Sequence, residues 1–509
     1  MQNLEKEKKP KRAQKKSVKV RTPPERDLVN LLKHYQAGHF SDAEKMALSI
    51  TEEYPDHQFG WKVLGAVLKQ TGRVSESLAF IKKAVILDPN DTQAHYNLGN
   101  ALLDLGKLEE AELSYNQAIS LKLDFVEAHY NLGNTLRILG RLEEAEASYR
   151  KAIALKPDYA EAYYNFGITL HNLGRPGEAE ASYRKAIALK PDYAETYYNF
   201  GITLTELGRF EEAEASYRKA IALKPDYAEA RYSLGLVFNA MGKYEEATEQ
   251  FNLSNLKKSK IQLLNCLYLQ DKKSLFFNQL DSFIDHGEIN PVIGSLGCRS
   301  ALSYGIERQN LFCKEPLKYV LETDLKKQHD FEKIFIKPSL TVLNNNRVEY
   351  RSTGLLTNGY QTSGNLFDIE PDLTEEIQKI IRSEVDKYRF NFRDSDEGLI
   401  KNWPADYIIS GWLINMKNGG ELRPHMHERG WLSGSIYINV PPKLKTNSGN
   451  LVVCIEDKKF LKKGSKDPKS IIDVVTGSLV LFPSSLLHYT IPFQSEKERI
   501  VLAFDVVPK

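Results

Sequence analysis

The chain has 509 residues, 42% hydrophobic and 27% charged, and its 69 Lys and Arg against 67 Asp and Glu leave a formal net charge of +2. That length accommodates two to four domains, and so even a balance supplies no global attraction toward nucleic acid or an anionic membrane. No apolar run approaches the roughly 20 residues that span a bilayer, and no apolar segment follows the basic N-terminus as a secretory signal would require. Cys266, Cys298, Cys313 and Cys454 are scattered without CxxC spacing, so a disulfide framework is not expected and a cytoplasmic location is.

Residues 1–23 carry Lys8, Lys9, Lys11, Arg12, Lys15 and Lys16 with almost no apolar content. Such a segment cannot offset the entropy of ordering and is expected to be a disordered, solvated tail. Contact with nucleic acid or an anionic surface is the alternative use of its charge.

From 24 to 261 the sequence repeats itself. Pro55, Pro89, Pro157, Pro191 and Pro225 fall on a 34-residue lattice with Leu123 at the vacant node, and Gly65, Gly99, Gly133, Gly167, Gly201 and Gly235 lie ten residues after each node. Ala111, Ala145, Ala179, Ala213 and Ala247 keep the same register, and the segment 144–161 recurs identically from Glu178 and Glu212. This pattern resembles the tetratricopeptide repeat family, whose helix–turn–helix unit is about 34 residues long; one degenerate and six clear repeats are expected. Small Gly and Ala positions let paired helices approach, Tyr149, Tyr183, Tyr217 and Phe251 are expected to fill the gap to the next repeat, and proline ends each second helix. Asn97, Asn131, Asn165 and Asn199 recur within Tyr-Asn-Leu/Phe-Gly, while Val63 and Ser233 break the series. The series resembles the asparagine ladder of O-GlcNAc transferase repeats, which implies a polypeptide partner held by its backbone amides in the concave groove. Duplication of idle polar positions is the simpler alternative.

Residues 262–330 leave the 34-residue register and read as a helical connector, with helices over Leu275–Ile284 and Pro316–Glu322 and breaks near Gly287 and Pro291. From 331 to 509 the pattern becomes that of strands: Tyr407–Met416, Leu432–Val440, Asn450–Ile455, Ser478–Phe482 and Arg499–Val507 are β-branched and aromatic, bounded by Gly, Pro or Asn. One amphipathic helix, Leu373–Tyr388, interrupts them. The expected architecture is an all-α solenoid followed by a mainly-β double-stranded β-helix, or jelly roll.

Two stretches of this second half carry chemistry. In Arg423-Pro424-His425-Met426-His427, residues i and i+2 of a strand present both rings from one face. His488 follows the apolar run Leu479–Pro483, and Arg499 opens the last strand. Neutral imidazoles suit iron, zinc, copper or nickel, and an arginine beside them calls for a carboxylate partner.

The ordered set resembles the Fe(II)/2-oxoglutarate oxygenases, in which a His-x-Asp/Glu pair precedes a distal His and then an Arg or Lys. Gly477–Pro483, Gly354-Leu355 and Tyr360-Gln361-Thr362 add to the likeness, the last two to a bacterial and phage branch. The resemblance implies His425, His427 and His488 as metal ligands, Arg499 as the 2-oxoglutarate residue, and Fe(II), 2-oxoglutarate and O2 as cofactor and cosubstrates. It implies oxidative decarboxylation of 2-oxoglutarate coupled to hydroxylation of a substrate C–H bond. The expected carboxylate is missing at position 427, and three readings stay open. His427 completes a three-histidine site, or the metal keeps only His425 and His488, or Glu428 swings in from the opposite strand face. Arg499 has an alternative too, as a rim residue paired with Glu498 or Asp505. Trp412, Asn415 and Tyr437 sit on strands expected to line the cavity. Two functions follow: an oxygenase that hydroxylates a polypeptide recruited by the repeats, or a repeat adaptor carrying an inactive or non-redox barrel.

Overall fold

The computed structural model describes residues 21–345, 348, 350–351, 354–461 and 467–509; the tail expected to be disordered lies, up to residue 20, outside them. The chain divides into two compact units, one ending at Pro225 and the other beginning at Asp226.

In the first unit the described residues form six antiparallel helix pairs, from Glu25–Gln36 with Phe40–Glu53 to Ala194–Glu206 with Phe210–Leu223. The turn inside each pair needs a left-handed residue, which Gly72, Gly106, Gly140, Gly174 and Gly208 supply at φ between +70° and +81°. The helix Leu108–Leu121 ends where the others do, although its lattice node is Leu123 rather than proline. Repeat stacking, more than proline, therefore fixes that boundary.

The lattice glycines allow the close helix approach expected of them, but the tyrosines have a packing role that differs from the expected one. A Cβ on Gly99, Gly133, Gly167 or Gly201 would lie 2.6–2.7 Å from a ring carbon of Tyr115, Tyr149, Tyr183 or Tyr217, in the same repeat. These tyrosines fill the space inside their own helix pair, because a residue 16 positions on lands opposite the glycine of the partner helix. Between repeats the second helices are tied by a charge lattice. Arg141, Arg175 and Arg209 each bridge a glutamate three residues on and another from the preceding repeat (Glu112, Glu146 and Glu180). Each exposed pair contributes little alone, and the network fixes register.

The second unit opens with a seventh pair, Ala228–Ala240 and Tyr244–Ser254, followed by Lys257–Leu269, Lys273–Asp285 and Pro291–Tyr304. The helix expected over Pro316–Glu322 is a correction. Pro316–Tyr319 is a single 3-10 turn, and the chain then becomes strand β1 (Leu321–Asp324). A seven-residue segment holds little intrinsic helicity, and β1 gains ladder hydrogen bonds from the strand Ser478–Pro483, more than 150 residues away in sequence.

The remaining strands are β2 (Tyr350–Arg351), β3 (Leu356–Thr362), β4 (Tyr407–Leu422), β5 (Leu432–Asn439), β6 (Leu451–Cys454), β7 (Lys469–Ile472), β8 (Ser478–Pro483), β9 (Leu487–Thr490) and β10 (Arg499–Pro508). They form two antiparallel sheets, ordered β1-β8-β5-β10-β4-β3-β2 and β7-β6-β9, the double-stranded β-helix. The helix Pro371–Asn391 turns Ile377, Ile381, Val385 and Tyr388 inward, where they join Leu413, Ile436, Leu481, Ile500, Leu502 and Phe504 in one core. The connector is fastened to the sheets by a buried network. Glu456, just past β6, accepts from Tyr268 Oη at 2.5 Å and Arg299 Nε at 3.0 Å.

A Gly167→Ala variant is expected to lower stability by about 1–3 kcal/mol through overpacking against Tyr183. Gly177→Ala, where a Cβ meets nothing within 4 Å, is expected to be neutral or stabilising by about 0.4–1 kcal/mol. Urea denaturation followed by circular dichroism separates the two.

Candidate metal centre

β10 lies between β4 and β5, and its alternation builds the site. Arg499, Val501 and Ala503 face a cavity of about 220 Å³, which is also lined by Gln361, Trp412, Tyr437, Thr490 and the three histidines. Ile500, Leu502 and Phe504 face the helix-covered core. The segment from Arg423 to Gly430 is not a regular strand. His425 makes an isolated antiparallel bridge with His488, through His488 N–H to His425 C=O at 2.8 Å and the reciprocal bond at 3.2 Å. That bridge brings together two residues 63 apart in sequence.

His425, His427 and His488 can each offer one nitrogen, and these atoms all lie within 4.8 Å of one another. His425 donates from Nδ1 to the carbonyl of Arg423 at 2.8 Å, which leaves its Nε2 lone pair for the site. His427 donates from Nδ1 to Asp505 Oδ1 at 2.6 Å, and its Nε2 stands 3.2 Å from His425 Nε2. Two ring nitrogens bound side by side to one metal at about 2.1 Å stand roughly 3 Å apart. His488 Nδ1 is buried without a hydrogen-bond partner among the described residues. A divalent cation of the imidazole-preferring kind fits this donor set.

Arg499 is the largest fully buried side chain among the described residues. Its Nη2 donates to the carbonyl of Gly449 at 2.9 Å, and its guanidinium carbon sits 5.1 Å from the Tyr437 ring centre. Nη1 donates to Met416 Sδ at 3.9 Å, Nε has no partner among the described residues, and no described carboxylate lies within ion-pair distance. Neither expected acid serves it: Glu498 accepts from Asn415 Nδ2 at 2.7 Å, and Asp505 belongs to His427.

Of the remaining sequence candidates, Trp412 and Tyr437 line the cavity. Asn415 instead spends its amide group on Glu498 and Tyr360. Glu428 turns away from the histidines and accepts from Gln262 Nε2 at 2.7 Å. Asp505 was missed as a site residue, though its even spacing from Arg499 on one strand carried the signal; Ser433 and Ser484 carried none. In the repeats, Asn131, Asn165 and Asn199 donate from Nδ2 to Tyr96, Tyr130 and Tyr164 of the preceding repeat at 2.8–3.1 Å. Asn97 accepts from Gln93.

Burial, with the neighbouring His427 adding to it, pushes His425 down to about 4, and burial pushes His488 well below the ordinary imidazole value of 6.5. Both shifts favour the neutral ring in the fold. Their stabilisation in metal-free protein is complete above pH 6.5 and is lost as the pH falls from there toward about 4. The thermal midpoint of chelator-treated protein is expected to drop across that window, and to drop less in His425→Gln.

Residues 410–505 match the family described as "Putative 2OG-Fe(II) oxygenase". Tetratricopeptide-repeat families match 32–92, 80–112, 99–136, 133–174, 160–193, 182–215 and 201–242. Among solved structures, YrrB, a TPR protein with an unusual peptide-binding site, is 26% identical with a TM-score of 0.33, covering 36% of this chain and 95% of its own. MamA is 27% identical with a TM-score of 0.31, covering 33% and 97%. PilW, a type IV pilus biogenesis factor, is 22% identical with a TM-score of 0.34, covering 38% and 91%. Comparison with curated proteins gave no match. No helix among the described residues is long and apolar enough to cross a membrane. The chain carries an array of tetratricopeptide repeats and, C-terminal to it, a domain that matches the model of the 2OG-Fe(II) oxygenase family.

Proposed function

We propose that this chain is an Fe(II)/2-oxoglutarate-dependent oxygenase that hydroxylates a side chain of a polypeptide recruited by its repeats. The observation that carries this reading is Arg499, a buried guanidinium with no carboxylate partner among the described residues, opening on the same cavity as three converging histidines. An isolated buried charge is costly, and a dicarboxylate that reaches from the histidines to the guanidinium removes that cost. An inactive barrel leaves the arginine unexplained.

In this reading His425, His427 and His488 hold the iron, and Arg499 takes the far carboxylate of 2-oxoglutarate. The Tyr437 ring packs against the guanidinium, and the apolar walls Ile414, Leu451, Val501 and Ala503 exclude water from the reacting centre. Bound iron with 2-oxoglutarate and O2 supplies the oxidising chemistry, and the cosubstrate leaves as succinate and CO2. Arg499 and the histidines orient, and none of them needs to transfer a proton.

The repeats supply the polypeptide. The amide NH2 groups of Asn131, Asn165 and Asn199 are engaged with tyrosines of preceding repeats, so these three offer a guest chain their side-chain carbonyl oxygens, whereas Asn97, whose oxygen accepts from Gln93, offers its NH2; either group pairs with a peptide unit whatever the sequence. Covalent linkage of repeats to barrel raises the effective concentration of a captured polypeptide.

Anaerobic titration with Fe(II) is expected to give a visible charge-transfer band only when 2-oxoglutarate is also present; its absence from folded protein defeats the proposal. Arg499→Met is expected to weaken 2-oxoglutarate by roughly 30-fold or more while metal affinity stays near that of the parent, as read by calorimetry.

A further inference from the structure

Position 427 leaves the centre without the acid its family pattern calls for, and the surrounding acids differ sharply in what they reach. Glu428 is committed to Gln262, and Glu498 to Asn415. Asp505 alone of the described acids hydrogen-bonds to one of the three histidines, His427 Nδ1 at 2.6 Å. The carboxylate is buried, at 7% exposure. Its Oδ1 also accepts from Ser433 Oγ at 2.8 Å, and Ser433 in turn lies 2.8 Å from Ser484 Oγ. Gly430 leaves the room for this arrangement: a Cβ there would stand 2.6 Å from Ser484 Oγ and 3.1 Å from Asp505 Cγ. The other two histidines have no such partner. His425 is oriented by a neutral backbone carbonyl, and His488 Nδ1 has no partner among the described residues.

We propose that Asp505 is the positioning residue of this centre, fixing His427 with Nε2 toward the other histidines and supplying, through the imidazole, the negative charge absent from position 427. The proposal rests on the reading of the three histidines as metal ligands. Three neutral rings around a divalent cation leave both positive charges uncompensated in a low-dielectric cavity. A carboxylate on the far nitrogen of one ring offsets part of that charge and raises the basicity of the ligating nitrogen. It also fixes the tautomer, since an acceptor at Nδ1 keeps the proton there and the lone pair on Nε2. An amide of the same size cannot do both. Facing the ring with its oxygen it keeps the tautomer and loses the charge, and facing it with its NH2 it moves the ring proton onto Nε2 and blocks coordination.

The test uses the full chain with Co(II), an air-stable probe whose visible d–d bands report the ligand field. Asp505→Asn is expected to bind Co(II) about 10–100-fold more weakly than the parent, with displaced bands. The double variant H427D/D505N, which moves the acid from beside the ring to the ligand position, is expected to recover affinity to within about threefold. In a His427→Ala background, adding D505N is expected to change nothing further. Parent-like affinity and spectrum in Asp505→Asn would overturn the proposal while leaving the ligand reading intact. An undiminished effect of D505N in the His427→Ala background would also overturn it, since Asp505 would then act by another route. If Asp505→Asn does not fold, H427D/D505N decides, and a folded double variant that binds tenfold or more weakly overturns the proposal. A parent protein that takes up no Co(II) would defeat this proposal together with the ligand reading beneath it.

Discussion

The site depends on one strand paired along both edges. β10 is held by β4 over ten residue pairs and by β5 over seven, so its register cannot slip without breaking both ladders. A slip by one residue exchanges every side chain between the two faces. It would carry Arg499 and Asp505 into the helix-covered core and Leu502 and Phe504 into the cavity. Two buried charges and a hydrophobic core thus share one constraint, and neither sheet edge is available to relax it.

That rigidity explains how the barrel tolerates polar groups that most cores exclude. Asp505 is satisfied twice, by His427 and Ser433, and Glu456 several times over, by Tyr268 and Arg299. Arg499 stands apart, with a carbonyl, a thioether sulfur and a ring face as its partners and no described carboxylate. The contrast separates roles that burial alone would merge. A buried charge that is fully partnered within the chain serves the architecture or orients a neighbour, and one left short of partners is addressed to something the chain does not contain.

The repeats show the opposite economy, in which one solution is copied. Asn131, Asn165 and Asn199 each bond to a tyrosine one repeat earlier, so they contribute to stacking whether or not a guest chain is present. Copying the residue copies the staple, which weakens any inference from its recurrence alone to ligand contact. The side chains proposed to meet a guest chain are thus the ones that already stabilise the array.

Periodicity was enough to read the solenoid, because a repeat contacts mainly its neighbours and its pattern is local. It also located five strands and the amphipathic helix, whose alternation and 3.6-residue spacing are written in contiguous residues. The order of His425, His427, His488 and Arg499 marked in the same way the residues that line the candidate site. Sequence did not reveal β1, a short segment that is a strand only because β8 lies beside it. Nor did it show that the tyrosines face the glycine of their own helix pair, that His425 and His488 are joined by a backbone bridge, or that Asp505 belongs to His427 and leaves Arg499 without an acid. These are pairings between residues from 16 to more than 150 positions apart. Linear spacing determines which face of an element a side chain occupies, and only tertiary packing decides what stands opposite that face.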